Sequence, residues 1–213
     1  MYKFWQRINL EDLNPKTIEE KYSDGFVLTR ISMDQVRSLR VVLEKFAPSS
    51  ENRRILRKGE DVEMRMINLP MPAESYDWKI HAAGAKFYNQ KFGPGTFSAN
   101  KIKELITSDN SNFNCLLIFS DKKTNQDIGW SICFLSKNIL HYAYPFYNLS
   151  YSNLGIIMMT KSIEWASKQE IKFCYLGSIW DEKAKYKLQF FPEEFFDGKE
   201  WKNIDELNLT EEN

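Results

Sequence analysis

Three apolar segments joined by short polar connections lie in the middle of the chain and constrain its fold most strongly. They are NCLLIFSD (114–121), IGWSICFLS (128–136) and ILHYAYPFYN (139–148). The connections KKTNQD and KN are too short for a crossover, so consecutive segments are expected to pair as antiparallel strands. Pro145 cannot donate to a sheet ladder, and it therefore predicts a sheet edge or a bulge in the third strand.

Helical patterns lie on both sides of these strands. Apolar residues at spacings of four, three and four predict a helix over 74–91, and a short second helix follows Ser98, whose hydroxyl can cap it. After the strands, residues 152–168 are apolar on most sides, which predicts a helix buried between layers. IKFCYLG (171–177) shows almost no alternation, so we expect a central strand there.

The predicted order is two helices, three antiparallel strands, a helix, a strand and a last helix over 181–189. This is the order of the N-acetyltransferase (GNAT-type) fold. We therefore predict an α+β protein with a GNAT-like mixed, largely antiparallel sheet and helices on both faces. The predicted divisions are an N-terminal segment (1–60) with short strands and a basic helix, a GNAT-like aminoacyltransferase domain (61–201) and a polar tail (202–213).

Charge and cysteine usage exclude several classes of site. The chain has 29 basic and 29 acidic residues, so any polyanion site must be a local cluster. The three cysteines lie within apolar segments without a CxxC spacing, which favours small buried hydrophobes over metal ligands. No apolar stretch approaches the about 18 residues of a membrane span, and residues 1–15 lack the apolar core of a signal peptide. We expect a cytoplasmic protein without metal or membrane partner.

The loop before the 152–168 helix bears on the acyl donor. Acyl-CoA-dependent members of the GNAT fold carry a basic residue followed by GxG or GxA at this place. Here YNLSYSNLG (147–155) contains one glycine, Gly155, and no Arg or Lys. This argues against an acyl-CoA-dependent N-acetyltransferase, which is kept as an alternative.

The C-terminal stretch carries an ordered set of motifs. In chain order they are Ser152-Asn153-Leu154-Gly155, Tyr175-Leu176-Gly177 with Trp180, Lys183-Ala184-Lys185-Tyr186-Lys187, and then Phe190, Pro192, Gly198 and Trp201. Their order and spacing resemble the arginyl-tRNA–protein and leucyl-tRNA–protein transferases, which add an amino acid to a protein's N-terminus. The segment LRVVLEKFAPSSENRRILRK (39–58) is also similar to an Arg-rich segment of that family, so the resemblance extends from about residue 20 to 201.

The chain departs from the family's pattern in its N-terminal segment and in its C-terminal motif. Its N-terminal cysteines, which bind a metal or cluster, would fall near Met33 and Val36, where this chain has no thiol. We therefore predict neither zinc nor an iron–sulfur cluster and no other cofactor, with aminoacyl-tRNA as a co-substrate. The methionine of the family's Lys-Met-x-Tyr-Lys motif is replaced by Ala184.

The resemblance implies a mechanism that needs little chemistry from the enzyme. An amine attacks the activated ester of an aminoacyl-tRNA, and holding the two reactants together lowers the barrier by about 7–11 kcal/mol. No catalytic triad is expected, and the candidates for a catalytic role are Tyr186, Lys187 and His141. The residues implied to bind substrates are Ser152, Leu154, Gly155, Tyr175, Gly177, Trp180, Lys185, Tyr186 and Phe190.

Structural roles compete with these functional ones. Ser152 could be only a helix cap and Gly155 only a packing glycine. Tyr186 and Phe190 are four residues apart, so on a helix they would share one face and could be core aromatics beside solvated lysines. The functional alternative is that the end of the strand at Gly177 opens a substrate cleft against the strand containing residues 142–147.

A basic stripe is predicted on the helix SENRRILRK (50–58). Arg53, Arg54, Arg57 and Lys58 recur at helical spacing, and together with Lys183 they are predicted to contact tRNA phosphates. A surface stripe without any partner is the alternative.

The function favoured by the sequence is an aminoacyl-tRNA-dependent transferase. Its acceptor is a free amine, either a protein N-terminus or a small molecule. The alternatives are an acyl-CoA-dependent N-acetyltransferase of the GNAT fold and a non-catalytic relative that binds tRNA or protein termini.

Overall fold

The computed structural model describes residues 4–9, 14–179 and 182–207. Within these ranges lie five α-helices: α1 (Pro15–Ser23), α2 (Ser50–Lys58), α3 (Trp78–Phe92), α4 (Ala99–Thr107) and α5 (Leu154–Lys168). Eleven strands lie in the same ranges: β1 (Phe4–Ile8), β2 (Phe26–Leu28), β3 (Met33–Val36), β4 (Ser38–Val42), β5 (Val62–Asn68), β6 (Cys115–Asp121), β7 (Gln126–Leu135), β8 (Ile139–Tyr147), β9 (Phe173–Ser178), β10 (Glu193–Phe196) and β11 (Trp201–Asn203).

The strands form two sheets. A three-stranded sheet has the order β1-β3-β2, and an eight-stranded sheet has the order β11-β10-β4-β9-β8-β7-β6-β5. In the large sheet the pairs β10–β11, β4–β10, β4–β9, β5–β6 and β6–β7 are antiparallel, and β8 and β9 run parallel over Ile139–His141. The predicted α+β class with a mixed, largely antiparallel, GNAT-like sheet is confirmed.

The chain folds into two compact units. The first comprises Met1–Arg53, Leu135–His141 and Ile163–Asn213, and the second comprises Arg54–Phe134 and Tyr142–Ser162. Within each unit the segments pack densely against one another. The division into 1–60, 61–201 and 202–213 stays a prediction.

The first unit contains the small sheet and the strands β11, β10, β4 and β9. IKFCYLG was predicted to contain a central strand, and β9 does lie between β4 and β8 in the sheet order. Its residues Cys174, Tyr175 and Leu176 are buried. Burial of a continuous apolar run on both faces explains why this segment shows no alternation.

The second unit contains β5, β6, most of β7 and α3 and α4. The antiparallel pairs β5–β6 and β6–β7 extend over nearly the full length of β6, as the short connections require. Asp77 caps α3 by accepting the N–H of Lys79 at 2.9 Å, and Ser98 caps α4 as predicted, accepting the N–H of Lys101 at 3.3 Å. Gly84 of α3 lets Ile102 of α4 approach closely.

Several predicted elements differ from the observed ones in the N-terminal region. The segment GFVLTRI (25–31) has the apolar pattern of a strand, yet β2 ends at Leu28, because the Thr29 hydroxyl donates to the Ser32 carbonyl at 3.0 Å and turns the chain into β3. The β-branched, apolar segment LRVVLEKF (39–46) also favours a strand, yet β4 ends at Val42 and the chain continues as a 3-10 turn over Leu43–Lys45. The strand β1, which pairs with β3, was not predicted at all.

Two predictions for the C-terminal half of the chain also need correction. The predicted helix over 181–189 is a 3-10 segment, Glu182–Lys187. Pro145 was expected at a sheet edge or bulge, yet β8 lies inside the sheet order. Since the parallel pairing of β8 with β9 covers only Ile139–His141, Pro145 lies beyond that ladder and its missing N–H breaks none of those bonds.

Candidate functional site

A bulge in β9 forms the centre of the first unit's candidate site. Ser38 of β4 pairs with Ser178 while Arg40 pairs with Tyr175, so two residues of β9 oppose one residue of β4. Gly177 occupies the bulge with φ of +75°, a conformation that favours glycine. A bulge of this kind turns carbonyl groups away from the sheet ladder, where another group can bind them.

Lys187 is the group that binds this bulge. Its Nζ donates to the carbonyl of Leu176 at 2.7 Å and to that of Ser178 at 3.0 Å. Lys187 is half-buried, so these charge-assisted hydrogen bonds are only partly screened by solvent. The side chain therefore holds the end of β9 in its bulged shape, a role that the sequence did not suggest.

The predicted substrate-binding residues of this region divide into an exposed and a buried set. Tyr186 is 52% exposed and Lys185 is exposed, whereas Phe190 and Tyr175 are buried. The prediction that Tyr186 and Phe190 share a helix face is wrong, because the 3-10 segment ends at Lys187. Trp180 and the side chain of Lys183 lie outside the described residues.

His141 is buried in the first unit with a specific partner. The hydroxyl of Tyr22 lies 2.7 Å from its Nδ1, and the histidine is 3% exposed. Burial, and to a lesser extent the nearby charge of Lys187, lower the pKa of His141 to about 3. The imidazole is therefore neutral near pH 7 and is a weak general base there.

A buried polar network continues from Tyr22 and includes an arginine that sequence reasoning missed. The Tyr175 hydroxyl donates to the Tyr22 carbonyl at 3.3 Å and accepts from Nη1 of Arg40 at 3.2 Å. The Arg40 guanidinium lies 4.1 Å from the ring centre of Phe173 and 3.9 Å from that of Trp201. It also donates from Nε to Glu194 at 2.8 Å. The only sequence signal was a charged residue inside the apolar run LRVVL.

The start of α5 forms the candidate site of the second unit. The helix begins at Leu154, so Ser152 precedes it and is exposed, while Leu154 is 1% exposed. A Cβ added to Gly155 would lie 2.5 Å from the hydroxyl oxygen of Tyr147. That hydroxyl accepts from Nζ of Lys91 at 3.0 Å. Gly155 is therefore needed for close approach of Tyr147, whatever else the helix start binds.

The basic stripe is exposed on α2. Arg53, Arg54, Arg57 and Lys58 are all exposed, while Ile55 on the opposite side is buried. Arg53 donates from Nη1 to the carbonyl of Pro48 at 2.6 Å, which ties one member of the stripe to the chain before the helix. The stripe has the exposure that phosphate contact requires.

The two positions near which the resemblance places the family's cysteines are part of the apolar core. Met33 and Val36 lie on β3 and are both fully buried. The three cysteines, Cys115, Cys133 and Cys174, are buried as predicted, and burial raises the pKa of Cys115 and Cys133. Among the residues that the structure describes, no group of three or more His, Cys, Asp or Glu side chains could hold a metal ion. In the same part of the chain, no helix is long and apolar enough to span a membrane.

Comparison with known proteins identifies relatives for most of this chain. Residues 79–197 match the family model described as arginine-tRNA-protein transferase, C terminus. An aspartate/glutamate leucyltransferase of Saccharophagus degradans is 26% identical over 168 residues, which cover 76% of this chain and 69% of the relative. A protein of the same name from Aeromonas hydrophila is 27% identical over 178 residues, covering 79% of this chain and 70% of the relative.

Among solved structures, the chain is similar to L-PGS from Bacillus licheniformis. The TM-score is 0.53 at 10% sequence identity, and the match covers 94% of this chain and 65% of that protein. At this identity the likeness concerns the fold alone.

Proposed function

Since the chain belongs to the family of arginine-tRNA-protein transferase C-terminal domains, we propose that it transfers the aminoacyl group of a charged tRNA to the free amine at a protein's N-terminus. The observation that carries this proposal is the family match over residues 79–197, which includes the bulge of β9, Lys187 and the start of α5. Such enzymes are aminoacyltransferases, and the ester they use is already activated.

The reaction balances without a cofactor. The amine nitrogen attacks the ester carbonyl, an amide bond forms, and the ester bond to the terminal ribose breaks. The amine loses a proton, and the leaving ribose oxygen gains one. The protein's contribution is approximation of the two reactants and stabilisation of the oxyanion.

The relatives favour particular substrates. Two of them are named aspartate/glutamate leucyltransferases, so leucyl-tRNA and an acidic N-terminal residue are the first pair to test. The family description names arginine-tRNA, so arginyl-tRNA is the second donor to test.

The described residues suggest a division of roles. Tyr186 and Lys185 are exposed and can reach a nucleic acid, the ring by stacking on a base and the ammonium by pairing with a phosphate. Lys187 acts as a positioning residue, because its Nζ is engaged by the two carbonyls of the β9 bulge. The basic side chains of the stripe on α2 contact the phosphate backbone of tRNA.

A transfer assay tests the proposal. Purified protein is mixed with leucyl-tRNA or arginyl-tRNA and with peptides that begin with Asp, Glu, Asn or Lys, and the peptide mass is followed. We expect one aminoacyl addition on a free N-terminus and none on the matched Nα-acetylated peptide. If no donor and acceptor pair gives product while tRNA still binds, the protein is a non-catalytic tRNA-binding relative and the proposal is wrong.

A further inference from the structure

A cavity in the second unit contains charged groups that neither candidate site uses. Its volume is about 830 Å³, and its lining includes Arg65, Ser120, Asp127 and Trp130 on the sheet side and Asp77 and Lys79 at the start of α3. A cavity of this size accommodates one or two amino-acid residues with their side chains.

A bulge between β6 and β7 assembles the polar wall of this cavity. Phe119 pairs with Gly129 but Ser120 pairs with Asp127, so Ile128 is the extra residue. Without the bulge, Asp127 would oppose Asp121 and its side chain would point to the other face of the sheet. The bulge therefore brings Asp127 to the face that carries Arg65 and Ser120.

Arg65 is held in a fixed orientation by these two neighbours. Its Nη1 donates to Asp127 Oδ1 at 2.8 Å and to Ser120 Oγ at 2.7 Å, and its Nη2 donates to Asp127 Oδ2 at 2.7 Å. The Ser120 hydroxyl also donates to Asp127, at 2.6 Å. The hydrogen bonds to Asp127 raise the pKa of Arg65 and lower that of Asp127, so both stay charged.

One edge of this guanidinium is left for a ligand. Three of its five N–H donors are engaged, and the two that are not are the Nε–H and the second Nη2–H, which point in the same direction along one edge. Among the described residues, none accepts from that edge. The side chain is 51% exposed, so a carboxylate can reach the edge and form a bidentate pair.

Two further groups complete the polar lining. Lys79 is exposed and makes no ion pair with any residue that the structure describes, so it adds a second positive charge. Asp77 uses Oδ1 to cap α3, which leaves carboxylate capacity for an ammonium group. In the cavity wall, the Nε1–H of Trp130 is buried and has no hydrogen-bond acceptor among the described residues. Unpaired buried donors are uncommon, so this wall contains an unsatisfied hydrogen-bond donor.

From this arrangement we infer that the cavity binds an acidic residue with a free α-amine, with its side-chain carboxylate on the open edge of Arg65 and on Lys79 and its ammonium near Asp77. This inference rests on the proposed function, since it assigns the acceptor's N-terminal residue to this cavity. A free acidic amino acid presents the same two charges, so peptide and amino acid must be compared directly.

Direct binding measurements test the inference separately from transfer. Calorimetry would compare peptides that begin with Asp or Asn, and free aspartate, on the wild type and on Arg65→Lys and Lys79→Gln. Arg65→Lys keeps the charge but loses the planar edge. Lys101→Gln, which removes an exposed cation of α4 outside the cavity lining, is the matched control.

We expect the wild type and Lys101→Gln to bind the Asp peptide more tightly than the Asn peptide by about tenfold or more. The reason is that the neutral Asn side chain cannot form the charge-assisted pair with Arg65. Arg65→Lys and Lys79→Gln should each lose most of this preference while keeping the wild-type melting temperature. Free aspartate that binds as tightly as the Asp peptide would assign the cavity to the amino acid and not to a protein terminus, which contradicts the inference. Equal binding of the two peptides to the wild type, or an unchanged preference in both cavity variants, would also overturn it. Loss of transfer with the binding pattern intact would instead count against the proposed function alone.

Discussion

Glu193 offers a test of how burial sets the stability of the C-terminal motif region. Its carboxyl group is 2% exposed, and Oε1 accepts the N–H of Phe190 at 3.2 Å. Burial raises the pKa of Glu193 from 4.5 to about 7, and hydrogen bonds from the backbone of Phe190 and Gln189 oppose this only in part. We therefore predict that Glu193→Gln, which imitates the protonated acid, stabilises the protein above pH 7.

The magnitude follows from the difference between the two pKa values. Below pH 4.5 the group is protonated in both the folded and the unfolded chain, so its stabilising contribution is fully present. As the pH rises the unfolded chain ionises first, and the contribution is lost progressively until the pH passes the folded pKa of about 7. The gap corresponds to about 3 kcal/mol of unfolding free energy, an upper bound because water can enter the site.

The assay is urea denaturation of the wild type and Glu193→Gln at intervals from pH 4.5 to pH 8. The difference between the two proteins must be used, because His141 has its pKa lowered to about 3 and makes the wild type less stable as the pH falls below about 6.5. That contribution has the opposite pH dependence and cancels in the difference. We expect the variant's relative stability to rise by up to about 3 kcal/mol across the range.

The matched control is Glu104→Gln, which changes an exposed carboxylate on α4. Its stability difference from the wild type should not depend on pH. A flat difference for Glu193→Gln, or one that falls with rising pH, would refute the assignment of a buried, protonated carboxyl group at this position.

Further predictions concern the two candidate sites. Lys187→Met should lower the unfolding free energy by about 1–3 kcal/mol in urea denaturation, because the two bulge carbonyls lose their donor, whereas the exposed Lys185→Met should stay within about 0.5 kcal/mol. Tyr186→Ala should also stay within about 1 kcal/mol, since half of the side chain is exposed, but should weaken transfer or tRNA binding; a global loss of cooperativity in its thermal melt would show that the ring is a packing residue. Gly155→Ala should cost about 1–3 kcal/mol, because the new methyl group overlaps the ring of Tyr147, and a melt equal to wild type would contradict that contact. Arg57→Gln/Lys58→Gln should reduce the dependence of tRNA affinity on salt by about one unit of slope for each phosphate that the variant no longer neutralises, and an unchanged slope would remove α2 from the tRNA surface.

The sequence by itself determined those features that depend only on residues close together in the chain. The connections KKTNQD and KN require β6, β7 and β8 to follow one another as antiparallel strands, and the continuous apolar run of β9 places it inside the sheet. Capping by Ser98 and the exposed stripe on α2 depend only on helical spacing and on a single side-chain hydrogen bond. Each of these features is decided within about a dozen residues, so each can be predicted from the residues alone.

Tertiary structure decided the features that depend on distant partners. His141 was predicted as a candidate for a catalytic role, and only the fold shows that its ring is buried, neutral and in contact with Tyr22, 119 residues earlier in the chain. Lys187 was predicted as a candidate for a catalytic role, but its Nζ binds a bulge that exists only because the pairing of β9 with β4 shifts by one residue. The edge of Arg65 likewise depends on a bulge that re-aims Asp127. Bulges, buried pairs and the orientation of a guanidinium arise from contacts between strands far apart in sequence, and no local periodicity encodes them.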